Sequence, residues 1–263
     1  MLVDGKKIAT DILLETSEKL SKLDTPPRLM VITCAPNFET QKYLKMKKLK
    51  AASVGVVLNV IELPEEAKTK DVLDCIGRVL EEADGIVAQL PLPKHINRDE
   101  VLKAIPADKD PDGFWFGVEA DACLSPVVGA IDEISKRYGV EWNDKKVVIL
   151  GEGRLVGLPC LHYAKQMGSV VEIYNKENFD ESRLISADII ISGIGQAGFI
   201  KNDHVKNGVF VFDAGTSEDG GVLTGDVSRE VESKAAILTP VPGGIGPITI
   251  AYLLRNLAQL VSQ

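Results

Sequence analysis

The sequence is poor in the residues that mark several functional classes. It contains 3 histidines and 4 cysteines in 263 residues. His95, His162 and His204 show no metal-ligand spacing, and Cys34, Cys75, Cys123 and Cys160 form no C-x-x-C pair. No metal site is therefore expected, and the cysteines read as small core hydrophobes. Cys160, near an expected helix start, has a second reading as a thiol of lowered pKa. No apolar run approaches the ~18 residues needed to span a bilayer. The first 20 residues mix charges into every turn, with no signal-like apolar stretch. Positive charge is also scarce, with 30 Lys and Arg against 38 Asp and Glu and a net charge of −8. That balance argues against a nucleic-acid surface but leaves room for a local basic pocket. The expectation is a soluble cytoplasmic protein with no membrane or nucleic-acid partner.

What is present is glycine, proline and a regular alternation. Hydrophobic residues make up 45% and charged residues 26%, as in ordinary globular domains. Apolar runs rich in Val and Ile predict strands over 28–34, 54–61, 85–90, 146–150, 170–174, 188–192 and 209–213. Amphipathic stretches predict helices over 40–53, 68–82, 156–167 and 248–260. Such alternation implies an α/β fold with parallel sheets and right-handed crossovers. Prolines and glycines at 106, 111, 113, 117 and 126 interrupt it. Two α/β domains follow: 1–120 with the C-terminal helix 247–263, and a Rossmann-like domain over 121–246.

Three segments of the first half suggest a reactive centre. Tyr43 and Lys47 stand i, i+4 on a predicted helix and share a face. Lys42, Lys45, Lys48 and Lys50 surround them, so composition does not select one lysine. Gln89-Leu90-Pro91-Leu92-Pro93 follows a predicted strand, where open α/β sheets place ligands. Asp108-Lys109-Asp110-Pro111-Asp112-Gly113 is either an acidic turn or a carboxylate aimed at ligand N–H groups.

In the second half, Gly151-Glu152-Gly153-Arg154-Leu155-Val156-Gly157 joins a predicted strand to a predicted helix. The spacing is G-x-G-x-x-x-G rather than G-x-G-x-x-G, so the strand–turn–helix context carries the dinucleotide reading. Lys176, after Tyr174 and Asn175, suits the 2′-phosphate of NADP. Glu152 would repel that phosphate and suits NAD. Finally, six of the eight residues 240–247 are Pro or Gly. Such a segment is a stiff turn or a rigid wall along a ligand.

Together and in this order, Tyr43-x-x-x-Lys47, Gln89-Leu-Pro-Leu-Pro93, Lys109-Asp-Pro-Asp-Gly113, Gly157-x-Pro159 and Thr239-Pro-Val-Pro-Gly-Gly-Ile-Gly-Pro247 carry a resemblance. The chain resembles the bifunctional methylenetetrahydrofolate dehydrogenase/methenyltetrahydrofolate cyclohydrolase family. The likeness extends through Gly198-Phe-Ile-Lys201, Asp213-Ala-Gly215 and Gly225-Asp-Val227. It implies oxidation of 5,10-methylenetetrahydrofolate with NAD(P)+ and hydrolysis of the methenyl product to 10-formyltetrahydrofolate, in one-carbon metabolism and purine biosynthesis. NADP is the family default.

By the same resemblance, Lys47, Gln89, Tyr43 and Asp112 form the catalytic set. Lys47 leads the hydrolysis and Gln89 tunes it. Tyr43 stacks on the pterin and aminobenzoyl region, and Asp112 binds the pterin's polar edge. Pro242, Gly243 and Gly244 wall the folate, in a cleft between the domains. The cofactor positions are Gly151, Glu152, Gly153, Arg154, Val156, Gly157, Asn175, Lys176, Gly193, Ile194, Gly195 and Thr216. A homodimer is implied.

Three departures from the family pattern stand out. Gly151-Glu152-Gly153 replaces the usual Gly-Arg-Ser. Ala122-Cys123-Leu124-Ser125-Pro126-Val127-Val128-Gly129 replaces Pro-Cys-Thr-Pro-x-Gly, and Thr40 stands where Ser is common. A monofunctional NAD-dependent dehydrogenase of this fold, or a non-catalytic nucleotide-binding relative, are the alternatives. The intact Tyr43, Lys47 and Gln89 argue against both. A bulky residue at Gly243 or Gly244 is expected to weaken folate binding more than folding.

Overall fold

The structure, a computed structural model, describes residues 1–175, 179–219 and 222–262. It is α/β, with the chain divided into two compact units. One comprises Thr10–Ser125 with Ile250–Gln263, the other Met1–Ala9 with Pro126–Thr249. The division differs from the expected one at the N-terminus. Leu2 bridges Leu238, and Val3 N donates to Leu238 O at 3.0 Å, so the first residues join the second-half sheet.

In chain order the first half contains α1 (Gly5–Leu20), β1 (Arg28–Cys34), α2 (Phe38–Ser53), β2 (Val57–Leu63), α3 (Thr69–Val79), β3 (Gly85–Ala88) and α4 (Arg98–Lys103). The strands run parallel in the order β2-β1-β3. Apart from Arg28, β1 and β3 are buried throughout, as near-continuous apolar runs require. One face of the sheet, with Met30, Ile32, Ile86 and Ala88, packs on Val72, Cys75, Ile76 and Val79 of α3. Those four α3 residues recur at helical spacing and form its apolar stripe. The expected strand over 54–61 begins later, at Val57. Val54 caps α2 and Gly55 takes φ +80°, so the chain turns before the strand starts.

The second half contains α5 (Pro126–Tyr138), β4 (Lys146–Leu150), α6 (Gly157–Gln166), β5 (Val170–Tyr174), α7 (Glu181–Ser186), β6 (Ile189–Ser192), β7 (Phe210–Asp213), the antiparallel pair β8 (Ser217–Asp219) and β9 (Val222–Thr224), β10 (Ile237–Leu238) and α8 (Ile245–Leu260). The five-stranded parallel sheet has the order β10-β7-β6-β4-β5. Val148, Leu150, Ile190 and Val211 on one face pack with Leu184 of α7. Helices α1 and α5 and the β8–β9 pair lie outside the expected elements, although Ile8, Ile12, Leu13 and Leu20 of α1 and Val128, Ile131 and Ile134 of α5 are buried at helical spacing. Helix α8 starts at Ile245, inside the Pro-Gly segment. Pro247 then lies in its first turn, where the missing N–H breaks no helical bond. All four cysteines are buried and free, and burial pushes the Cys160 thiol up, which removes the lowered-pKa reading. Among the described residues, no helix is long and apolar enough to cross a membrane, and no cluster of His, Cys, Asp or Glu could hold a metal ion.

One local device recurs in both sheets. Asp84, just before β3, donates its N–H to Arg28 O at 2.9 Å and accepts Arg28 N through Oδ2 at 2.7 Å. Asp188, just before β6, makes the same exchange with Lys146, with both bonds at 2.8 Å. Each aspartate therefore sets the register of a strand entering its sheet. At Asp188, burial pushes the carboxyl up, but bonds from Lys206 Nζ and Lys146 N prevail and hold it low. A carboxyl held low stabilises the fold above its unfolded value near 3.9, and that contribution fades as pH falls through the folded pKa. Asp188→Ala should cost about 1 kcal/mol at pH 7. The difference from wild type in urea unfolding should shrink towards pH 3; a pH-independent difference would contradict the assignment.

Candidate active site

The first site grows from α2 and the end of β3. Asn37 Oδ1 accepts Thr40 N at 2.8 Å and starts the helix. The buried residues of α2 are Thr40, Leu44, Lys47 and Ala51, so Lys47 occupies a position in the helix's inward stripe. The helix's other lysines are exposed, whereas Lys47 is 3% exposed. This phase distinguishes Lys47 from its neighbours, and it emerges only in the folded helix, whose apolar Phe38, Met46 and Leu49 are exposed. Lys47 Nζ donates to Gln89 Oε1 at 3.0 Å and lies 5.2 Å from the centre of the Tyr43 ring. Gln89 Nε2 in turn donates to Leu90 O at 2.9 Å, which fixes which end of the amide faces the lysine.

Burial lowers the Lys47 pKa, because an ammonium loses hydration there, and the attraction of Asp112 partly restores it. Burial raises Asp112, and Lys47 opposes the rise. The four residues Tyr43, Lys47, Gln89 and Asp112 therefore belong to one unit and are linked by bond, ring contact or field. Such a lysine can take up or release a proton closer to neutral pH than a solvated one.

Asp110 supports this group. It was visible in the Asp-Pro-Asp motif, but only burial reveals its role. Its carboxylate accepts Asp112 N at 3.1 Å, Phe114 N at 2.5 Å and Trp115 N at 3.2 Å. Burial and the neighbouring Asp112 push the Asp110 carboxyl up to about 7, against those three bonds. Asn256 of α8 clamps the same turn, donating to Pro111 O at 2.9 Å and Leu124 O at 2.8 Å.

The second site lies where β4, β5, β6 and β7 end. The chain passes from β4 to β5 on one side and then crosses to β6 on the other, which makes a topological switch point beside β4. Here Val156 packs over Gly193, and Gly151 lies against Gly193 and Ile194. Gly195 adjoins the Thr216 carbonyl. Gly157 must lack a side chain, since a Cβ there would overlap the Gly151 carbonyl. Glu152 Oε2 accepts Asn175 Nδ2 at 3.1 Å. The structure thus gathers Gly151, Glu152, Val156, Gly157, Asn175, Gly193, Ile194, Gly195 and Thr216, with Gly153 and Arg154 in the same turn. Lys176 lies outside the described residues. Helix α6 starts without a side-chain cap, and open space surrounds Gly153. A bare helix start after a glycine turn suits a dinucleotide's pyrophosphate.

The Pro-Gly turn divides into two kinds of position. Pro242 is exposed, and Gly243 adopts φ +109° with open space around it. Gly244 is buried, and its N–H donates to Pro240 O at 2.7 Å. A Cβ on Gly244 would lie 2.6 Å from Pro240 O and 2.9 Å from the Thr239 Cβ. Gly5 packs directly on the carbonyls of Gly243 and Gly244. Gly244 is therefore a packing residue of the turn, so a side chain there carries a cost in folding as well.

Known proteins resemble the chain along nearly its whole length. Residues 3–112 match the family model "Tetrahydrofolate dehydrogenase/cyclohydrolase, catalytic domain", and residues 126–263 match the corresponding "NAD(P)-binding domain". The chain is 33% identical to the bifunctional protein FolD of Mycoplasmopsis synoviae, covering 98% of this chain and 99% of that one. Its fold is similar to the FolD methylenetetrahydrofolate dehydrogenase/cyclohydrolase from Campylobacter jejuni, with TM-score 0.95 and 32% identity over 100% of this chain and 98% of the other. It is also similar to the Trypanosoma brucei enzyme complexed with NADP cofactor and inhibitor, with TM-score 0.93 and 29% identity over 100% and 97%.

The turn geometry makes a direct prediction. Gly244→Ala should destabilise the protein by about 1–3 kcal/mol through overpacking. Thermal unfolding measures it, and a wild-type Tm would show that the turn yields without cost.

Proposed function

The chain belongs to the tetrahydrofolate dehydrogenase/cyclohydrolase family, and from that membership we propose how its residues divide the work. It is a bifunctional enzyme that oxidises 5,10-methylenetetrahydrofolate to the methenyl form with NAD(P)+ and hydrolyses that product to 10-formyltetrahydrofolate. The observation that carries the residue assignment is the buried Lys47 ammonium held by Gln89 at 3.0 Å in the field of Asp112.

Tyr43 offers its half-exposed ring as a stacking surface for the pterin and aminobenzoyl groups. Asp112 takes the polar edge of the pterin. In the hydrolytic step water adds to the methenyl carbon, the bond from that carbon to one ring nitrogen breaks, and the formyl group remains on the other nitrogen. Lys47 moves the proton that this exchange requires, and Gln89 keeps Nζ aimed and partly desolvated. When bound, the nicotinamide accepts the hydride of the dehydrogenase step. The protein's part there is to hold donor and acceptor in register, which can supply much of the acceleration. Gly151, Gly153, Arg154, Val156 and Gly157 are assigned to the pyrophosphate side, and Gly193, Ile194, Gly195 and Thr216 to the loops beside the nicotinamide half. In the Pro-Gly turn, Pro242 and Gly243 remain the folate-contacting candidates, and Gly244 supports them.

NADP is the nucleotide expected by default, and the T. brucei relative is complexed with it. The Glu152–Asn175 hydrogen bond at 3.1 Å favours a second reading. A carboxylate beside the end of β5 discriminates against a ribose 2′-phosphate and admits the 2′-hydroxyl of NAD. We also propose a cytoplasmic homodimer whose formyl product serves purine biosynthesis. Family membership supports that placement, and the net charge of −8 supports the absence of a nucleic-acid partner.

The deciding experiment supplies purified protein with 5,10-methylenetetrahydrofolate and either NADP+ or NAD+, following methenyl and reduced-nicotinamide absorbance. Turnover is expected, and none with either nucleotide would overturn the reading. Lys47→Met should lower methenyl hydrolysis by about 10²–10⁴-fold while part of the dehydrogenase activity survives; wild-type hydrolysis would remove Lys47 from this role. Glu152→Arg should raise the NADP-to-NAD ratio of kcat/KM at least about tenfold, the effect of ~1.4 kcal/mol. An unchanged ratio would place Glu152 away from the ribose.

A further inference from the structure

Two carboxylates lie buried behind the loops at the switch point, where the catalytic scheme gives them no part. Asp226 and Ser192 are each 0% exposed. Asp226 Oδ2 accepts Ser192 Oγ at 2.7 Å and Ile194 N at 2.9 Å, and its Oδ1 accepts Gln196 N at 2.6 Å. These bonds link residue 226 to a loop some thirty positions earlier in the chain. Asp213, at the end of β7, accepts Gly215 N at 3.0 Å, Asp226 N at 3.2 Å and Val227 N at 2.9 Å. One aspartate therefore holds the backbone of the second, and the second holds loop 192–196. Two glycines close the arrangement, because a Cβ on Gly215 would overlap the Asp226 carboxylate and one on Gly225 would overlap that of Asp213.

We propose that Asp226 is a positioning residue for the nicotinamide cofactor, its carboxylate setting the conformation of loop 192–196 through three hydrogen bonds. The inference rests on the reading of Gly193, Ile194 and Gly195 as cofactor-binding positions. Loop 192–196 is tied to the sheet at its start, where Gly193 N donates to Leu150 O at 3.0 Å and Ser192 O accepts Ala214 N at 2.8 Å. Its N–H groups at 194 and 196 bond to a side chain rather than to a neighbouring strand, because β6 has already ended at Ser192. An ionised carboxylate is the side chain suited to this task, since it accepts on both oxygens and donates on neither. Burial raises the Asp213 carboxyl to about 7 despite its three N–H donors, with the Asp226 charge adding to the rise. The pair is thus costly to bury, and the backbone bonds it organises offset that cost.

The bifunctional chemistry provides an internal control, because methenyl hydrolysis consumes no nicotinamide. Asp226→Asn keeps the shape of the side chain but turns an NH2 group towards a backbone N–H, whichever way the amide sits. It should raise the Kd for NADP+, measured by titration calorimetry, and the KM for NADP+ by at least about tenfold, the worth of one charge-assisted bond (~1.4 kcal/mol). Methenyl hydrolysis should stay within about twofold of wild type, a change of ~0.4 kcal/mol. Ser192→Ala removes one donor and should move NADP+ affinity in the same direction by a smaller factor, which decides the matter if Asp226→Asn does not fold. Unchanged NADP+ affinity in a folded Asp226→Asn, or in Ser192→Ala when the first variant fails, would overturn the proposal. So would equal loss of both activities in a folded Asp226→Asn. Calorimetry reads nucleotide binding without folate, so the inference can fail or stand separately from the assignment of Lys47.

Discussion

A parallel sheet has to be covered on both faces, and it obtains that cover from the helices that return the chain to the next strand. Right-handed crossovers fix which face each helix takes. When the chain places one strand to the left of its starting strand and the next to the right, the two helices fall on opposite faces. The end of the starting strand is then left uncovered. This happens at β1, flanked by β2 and β3, and again at β4, flanked by β5 and β6. Lys47 follows β1 and Gln89 follows β3; the glycine turn follows β4 and loop 192–196 follows β6. Each unit thus builds its chemistry at the position that its strand order leaves open.

The two sites use that opening differently. In the first, the helix after β1 brings a charged side chain inward, and the surroundings tolerate the charge through a single amide and a nearby carboxylate. The unfavourable hydration balance is what the proposed role of Lys47 draws on, since it moves a lysine towards neutral-pH proton transfer. In the second, the backbone itself lines the opening. Side chains are excluded at Gly157 by the Gly151 carbonyl and at Gly193 by Val156. Buried aspartates support both. Asp110 holds the turn that presents Asp112, as Asp226 holds the loop after β6. In each case a carboxylate collects N–H groups that no strand or helix satisfies.

Much of this was legible along the chain. The strands at Arg28–Cys34, Lys146–Leu150 and Val170–Tyr174 follow directly from apolar runs, and the switch from Val and Ile runs to amphipathic stretches reveals the α/β order. Helix α1 was legible too, with Ile8, Ile12, Leu13 and Leu20 at helical spacing, but the ends of elements were not. Asn37, Lys68 and Gly55 set element ends through local bonds or φ rather than through hydropathy. The packing of Gly244 was hidden for a related reason: glycine beside a ligand and glycine beneath a packed helix look alike in one dimension.

The sequence by itself determined the periodicities, and with them the fold class, the order of elements and the motifs that carry the family likeness. These are local quantities, set by residue type and spacing. Only the tertiary structure decided that Lys47, among the lysines of α2, is desolvated against Gln89. It alone revealed that Asp110 is a buried acceptor for its own turn, that Asp213 and Asp226 are buried acceptors for distant backbone, and that Gly157 and Gly244 are required by packing. Desolvation and steric exclusion depend on what lies across space from a residue, and partners as far apart in the chain as Ser192 and Asp226 meet only once the chain has folded.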